Sequence, residues 1–402
     1  MKAGIIGLGY VGLITAINLR AIGIDVTGID VDAKKIELLK EKKSYIYEPG
    51  TDNLLERYNL PASTDVKAIA DADLVLITVG TPSNDDGSQN LTYFISAVKS
   101  LQDINYKGAV VPRSTILPGT TDSYVTPYFE HVGYNPEFLA EGRANEDFIH
   151  PDKIVIGYKD EYTKDIMKKL YEGIKAPIIE TDIKTAEMIK YANNAFLASK
   201  ISIANELGNI TKKLNIDVYK VTDAIGLDSR IGKKFLNAGI GWGGSCFKKD
   251  ISALVQISRI HGYEPEIFNA VLKQNDLQPL KIIDILRART EIKGKNIGLL
   301  GLSFKPETDD IRDAPSIKIA SALLDEGAII HAYDPRAMNN FKNYDDKFKN
   351  IDYCENAKQC VERSDAVLIL TEWNAFKDDR LYPADKIIIE GRRIRGKEGV
   401  CW

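Results

Sequence analysis

The sequence predicts an α/β protein: two Rossmann-like, doubly wound domains joined by a central long helix. Three observations carry this. β-rich runs alternate with helical stretches through residues 1–182; a proline-free stretch, residues 185–214, keeps an apolar stripe at helical spacing; and after Lys293 the strand–helix alternation returns in the same order.

Taken in order, "AGIIGLG", "DVTGID", "DLVLITVG", "GAVVPRST" and "KIVIG" read as strands of a parallel sheet and define a first domain, 1–182. "TAEMIKYANNAFLASKISIANELGNITKKL" reads as one long helix, and "DISALVQISRIHG" as another, so residues 183–280 form a central helical segment. In 281–402, "KNIGLLGLSFK" is a strand and turn, "APSIKIASALLDEGA" a helix, and "IIHAYDP" a strand ending at Asp334. That order repeats the N-terminal strand, glycine turn, helix and strand ending at Asp30. The second copy lacks two of the three turn glycines.

The 402 residues carry a net charge of −4, which gives no general attraction to nucleic acid or to an anionic membrane surface. No uninterrupted apolar run reaches the ~18 residues of a membrane span. The first residues resemble a secretory leader only superficially, because Gly7, Gly9 and Gly12 interrupt the apolar run. The four cysteines, Cys246, Cys354, Cys360 and Cys401, include no CxxC pair; this points to a reducing, cytoplasmic setting and no structural metal.

"GLGYVG" places Gly7, Gly9 and Gly12 directly after a strand and at the start of a helix, where backbone N–H groups can meet a pyrophosphate. Asp30 stands at the end of the next strand, where a carboxylate binds a ribose 2′-hydroxyl and repels a 2′-phosphate. The cofactor expected is therefore NAD rather than NADP. Lys35 either flanks that ribose or is an ordinary surface lysine.

Glu137 and Glu141, four apart in "NPEFLAEG", would share a face if the segment were helical, as a solvated face or as working carboxylates. Lys190 and Asn194 are also four apart, on the long helix. Either they point into a cavity and stabilise an oxyanion, or the lysine snorkels to water. In "GIGWGGSCFKKD" a glycine-rich loop delivers Cys246 to the start of a helix, the setting of an activated nucleophile; the alternative is a buried inert thiol. Lys305 and Arg312, in "FKPETDDIRDAPS", either hold phosphates or pair with Glu307, Asp309 and Asp310.

These motifs occur in one order with "TPS", "RSTILPGTT" and "EGRR", and the chain so resembles the UDP-glucose/GDP-mannose dehydrogenase family over essentially its whole length. The resemblance implies NAD-dependent oxidation of a nucleotide sugar, UDP-glucose, to UDP-glucuronate by two hydride transfers. It makes Cys246 the nucleophile, Lys190 and Asn194 the oxyanion stabilisers, Thr115 and Asp250 the positioners of water, and Glu137 an aid to proton transfer. It places Tyr10, Val11, Lys35, Thr81, Thr115, Glu141, Lys249 and Arg312 along NAD. Phe138, Leu139, Phe235, Gly243, Phe304, Lys305 and Arg392 it places, with Glu137, Lys190 and Asn194, along the sugar nucleotide. It further implies a homodimer in which Arg230 reaches the partner's substrate.

Lys248 and Asn237 depart from the family's usual proline and lysine, while Ser245 favours an unacetylated hexose. The same chemistry on GDP-mannose or a UDP-N-acetylhexosamine remains the nearest alternative. Behind it stand a two-electron hydroxyacid dehydrogenase, which needs no thiol, and a non-catalytic NAD or nucleotide-sugar sensor.

Overall fold

A computed structural model describes residues 1–84 and 86–402, in two units, Met1–Asn193 and Asn194–Trp402. In the first, the run "KAGII" is β1 (Lys2–Ile6), buried from its second residue onward. A strand covered on both faces is continuously apolar rather than alternating. β2 (Asp25–Ile29), β3 (Ala62–Ser63), β4 (Leu74–Ile77) and β5 (Ala109–Pro112) join it in a parallel sheet of order β3-β2-β1-β4-β5. The chain leaves β1 towards β2 and later returns on its other side as β4. A sheet whose strand order reverses in this way opens a crevice at the strands' carboxyl ends, and that is where "GLGYVG" and Asp30 lie.

A smaller sheet follows, with β7 (Ile154–Tyr158) between antiparallel β6 (Gly133–Tyr134) and parallel β8 (Ile178–Thr181). Between β6 and the helix Ala144–Ile149, "NPEFLAEG" is irregular backbone. The condition under which Glu137 and Glu141 would share a helical face is therefore not met.

The long helix spans Ile183–Lys213. It begins two residues before the expected Thr185, and the Asp182 carboxylate accepts from Thr185 N (2.9 Å) and Thr185 Oγ1 (2.6 Å), a capping arrangement. It ends before Leu214, where Asn215 turns left-handed (φ 56°) and Ile216 N reaches back to Thr211 O (2.9 Å).

In the second unit the helix Phe247–Ile260 follows the glycine loop. β9 (Asn296–Leu300), β10 (Ile329–Tyr333), β11 (Asp352–Tyr353), β12 (Ala366–Ile369) and β13 (Ile387–Glu390) make a second parallel sheet of order β11-β10-β9-β12-β13. The relative order matches that of the first sheet, so the echo in the sequence is an echo in topology. Each sheet is buried by its own apolar cluster: Ile5, Leu13, Leu74 and Leu76 in the first unit, Ile297, Leu299, Ile319 and Leu368 in the second. Among the described residues, no helix is long and apolar enough to cross a membrane.

Candidate active site

In the first unit the turn after β1 is built for close approach. Gly7 has φ 93°, and a Cβ on Gly12 would overlap the Gly7 carbonyl oxygen and lie 2.7 Å from Thr78 Oγ1. Gly9 differs: its missing Cβ would face open space, and it caps the helix Tyr10–Ala21 without any side-chain acceptor. The first N–H groups of that helix thus have an open approach suited to an anion, with Tyr10 and Val11 on its first turn.

Asp30 is buried at the end of β2. Its Oδ2 accepts from Leu8 N (2.8 Å) and from Lys35 Nζ (3.1 Å), and its Oδ1 from Asp32 N (3.0 Å). Lys35 is therefore tied to the carboxylate rather than loose on the surface. Next to it Val31 is almost wholly exposed, an apolar face beside the ribose position that the sequence reading missed. These groups fit a dinucleotide: an open helix terminus for the pyrophosphate and a desolvated carboxylate for the ribose.

Tyr10 donates to Glu48, a residue no motif singled out. Glu48 also accepts from Gly142 N (2.6 Å) and Ala144 N (2.7 Å), tying the glycine turn to the segment that carries Glu141, which is half-buried. Burial foremost, and then the Glu48 carboxylate, pushes the Tyr10 phenol well up, so it remains a donor.

Lys190 and Glu137 are 3% and 6% exposed and form an ion pair, Nζ to Oε1, at 2.8 Å. This removes both bland readings, the snorkelling lysine and the solvated glutamate. Burial pushes the Glu137 carboxyl up, but the Lys190 charge and hydrogen bond, Leu139 N–H (2.8 Å) and Arg113 outweigh it and hold the group below its usual value. The Phe138 ring lies under two ammonium groups, 5.6 Å from Lys190 Nζ and 4.2 Å from Lys153 Nζ. Desolvation foremost, then the nearby Lys190, lowers the Lys153 pKa.

Thr115 lies in the loop after β5. Its carbonyl accepts from Thr81 Oγ1 (2.7 Å) and Gln89 Nε2 (2.6 Å), so Thr81 spends its hydroxyl on this loop.

In the second unit, the sequence around Cys246 folds locally because buried amides hold its glycines. Gly239 is fixed by Asn205 Oδ1 (2.8 Å) and Gln278 Nε2 (2.7 Å), while Trp242 exchanges two hydrogen bonds with Asn275 (2.8 and 2.9 Å). Gly241 and Gly244 take φ 97° and 88°, and a Cβ on Gly243 would stand 3.0 Å from the Phe304 Cβ.

Cys246 is exposed and is the N-cap of the helix Phe247–Ile260, where the positive end of the helix favours negative charge. The other three cysteines are buried; burial foremost pushes Cys401 up to about 12. Cys246 is thus not the buried thiol of the alternative reading. One turn on, Asp250 donates its N–H to Cys246 O (2.9 Å) and is 1% exposed. Its carboxylate accepts from Asn194 Nδ2 (2.7 Å) and from Lys249.

The remaining residues fall out less uniformly. Arg312 forks onto Asp310 (2.8–3.0 Å), the pairing alternative, and Lys305 lies 5.5 Å from the Phe304 ring centroid. Arg392 donates to Gly241 O and sits 3.7 Å from Glu372, close to the glycine loop. Arg230, 87% exposed, forks onto Asp228, and Phe235 stands nearby in sequence with a left-handed φ of 66°.

Asp334, the counterpart of Asp30, is fully buried and accepts from Leu302, Ser303, Arg336 and Ala337 backbone N–H, Ser303 Oγ and Trp373 Nε1, at 2.7–3.2 Å. No edge is left for a ribose. His331, Asp352 and Cys354 bring ligand-type atoms within 4.8 Å of one another, but Arg363 (2.7 Å) occupies the Asp352 carboxylate and Asn296 (3.1 Å) the imidazole Nε2.

Comparison with known proteins matches residues 1–175 to the NAD binding domain of the UDP-glucose/GDP-mannose dehydrogenase family, 184–277 to its central domain and 298–397 to its UDP binding domain. The UDP-glucose 6-dehydrogenase AglM of Haloferax volcanii is 41% identical over 98% of this chain and 97% of its own length. YwqF of Bacillus subtilis, a UDP-glucose 6-dehydrogenase, is 44% identical over 94% and 89%. The structure of a UDP-glucose dehydrogenase from Pyrobaculum islandicum superposes with a TM-score of 0.94 at 35% identity, covering 100% of this chain and 98% of that one. The chain belongs to the UDP-glucose/GDP-mannose dehydrogenase family, and its first 175 residues are that family's NAD binding domain.

Proposed function

We propose that this chain is a UDP-glucose 6-dehydrogenase that oxidises the sugar C6 alcohol to the carboxylate of UDP-glucuronate through a covalent step on Cys246. The observation that carries the reading is the exposed Cys246 thiol at a helix N-cap, one turn before the buried Asp250 carboxylate. Full-length relatives that oxidise UDP-glucose support the substrate. Residues 1–182 hold NAD, 183–280 the thiol and the dimer contact, and 281–402 the UDP moiety. When bound, NAD would supply hydride acceptance, once at the alcohol carbon, whose hydroxyl proton passes to water, and once at the carbon held on sulfur.

The residues do the rest. The Cys246 thiolate adds to the C6 aldehyde, forming a C–S bond and an oxyanion that the Lys190 ammonium and the Asn194 amide stabilise. Loss of the second hydride leaves a thioester. Thr115 and Asp250 position the water that attacks it, Glu137 assists transfer of the water's proton, and the C–S bond breaks to return the thiolate. Arg230, exposed and forked onto Asp228, serves the substrate of a second copy in a homodimer. The cysteine usage keeps the cytoplasmic setting part of this reading.

The test supplies UDP-glucose, GDP-mannose and a UDP-N-acetylhexosamine to wild-type protein and to Cys246→Ala, following NADH and acid. Two NADH per UDP-glucose without free aldehyde are expected from the wild type. Cys246→Ala should lose net acid formation while binding NAD within about twofold of wild type, since no NAD contact is removed. Acid made by that variant at near wild-type rate overturns the covalent mechanism, and preferred turnover of another sugar overturns the substrate.

A further inference from the structure

The loop that carries Thr115 is held by two polar groups to which the reaction assigns no role. Glu187, on the long helix, is fully buried, and both its oxygens are used: Oε2 accepts from Gly119 N (2.6 Å) and Oε1 from Thr121 N (2.9 Å). Gly119 has φ 91°, which turns these neighbouring N–H groups towards one carboxylate. Gln89 grips the other end. Its Nε2 donates to Thr115 O (2.6 Å) and lies 3.1 Å from the Tyr191 hydroxyl, while its Oε1 accepts from Leu117 N (3.2 Å). Glu187 and Tyr191 flank Lys190 on the same helix, three residues before it and one after.

We propose that Glu187 and Gln89 are positioning residues: together they fasten the Thr115 loop to the turn of the long helix that presents Lys190, and so fix the water-orienting hydroxyl relative to the oxyanion-binding ammonium. The inference rests on the roles given above to Thr115 and Lys190. A buried carboxylate is costly, and any neutral acceptor could hold a single N–H. Here each N–H meets its own oxygen, a two-point hold that a carboxylate supplies and an amide, with one oxygen and one NH2, does not. Burial foremost pushes that carboxyl up to about 7, against its hydrogen bonds from Thr121 and Gly119, a measure of what the arrangement costs.

Glu187→Gln keeps the shape but replaces one acceptor by a donor, which sets an NH2 group against either Gly119 or Thr121 N–H and frees one end of the loop. In the full-length protein with NAD and UDP-glucose, we expect kcat to fall about 10- to 100-fold, the scale of small misplacements of reacting groups. NAD affinity should be retained, and a Cys246-bound acyl species should accumulate, visible as added mass on the intact chain, because water attack is the step that loses its guide. If Glu187→Gln does not fold, Gln89→Met carries the same expectation. Unchanged kcat with no trapped adduct overturns the proposal, as does a parallel loss of NAD binding, thermal stability and turnover, which marks a merely structural carboxylate. A wild type that needs no Cys246 defeats the underlying reading instead, and the Cys246→Ala assay separates the two failures.

Discussion

At the scale of single residues, the proposed preference for NAD over NADP rests on Asp30. Its carboxylate is desolvated and held by Leu8 and Asp32 N–H and by Lys35 at the strand end. A 2′-phosphate brought there meets like charge at a cost of about 3 kcal/mol, or about 100-fold. The kcat/KM for NADP should accordingly fall at least that far below that for NAD, and Asp30→Ala should narrow the gap; equal efficiencies in the wild type would remove Asp30 from this role. Asp30 was legible because a motif fixes its place. Glu48, Gln89 and Glu187 were not, since their partners lie 26 to 102 residues away along the chain. A signal did exist for one of them: Glu187, Lys190, Tyr191 and Asn194 recur at i, i+3, i+4 and i+7, a polar row on the buried side of a helix. For Glu137 and Glu141 the helical condition on a shared face is not met, and four-residue spacing means a shared face only where the backbone is helical.

The long helix shows what an element adds. Periodicity located it to within two residues at its start and one at its end, and the errors arise where side chains rather than pattern decide, at the Asp182 cap and the left-handed Asn215. Its outer face carries Phe196, Ile203 and Ile210, seven apart and 69%, 57% and 49% exposed. Apolar groups at heptad spacing on water suit a partner helix. If this stripe forms the proposed dimer, Ile203→Asp sets a charge in its middle and should weaken association by at least about 2 kcal/mol, some 30-fold. Sedimentation equilibrium reads the change, and an unaltered dimer would locate the contact elsewhere.

For the whole molecule, the proposed homodimer makes Arg230 and Cys246 separable. Arg230→Ala and Cys246→Ala proteins, each inactive alone, should recover part of the wild-type turnover once their subunits exchange. Up to about a quarter is expected at equal mixing: half the dimers are then mixed, each with one intact site. Verified heterodimers without activity would show that Arg230 serves its own subunit. The two-sheet architecture was legible because topology follows from an alternation the chain states twice. What each copy binds was not, because that depends on how many donors surround one carboxylate.

Asp334 illustrates the point. It occupies the place on β10 that Asp30 occupies on β2, and six donors exhaust it. One aspartate is the proposed reader and its twin is a rivet. The recognition chemistry proposed for the first copy cannot therefore be transplanted into the second by restoring its glycines, since the carboxylate a ribose would need is already consumed in holding the strand ends together.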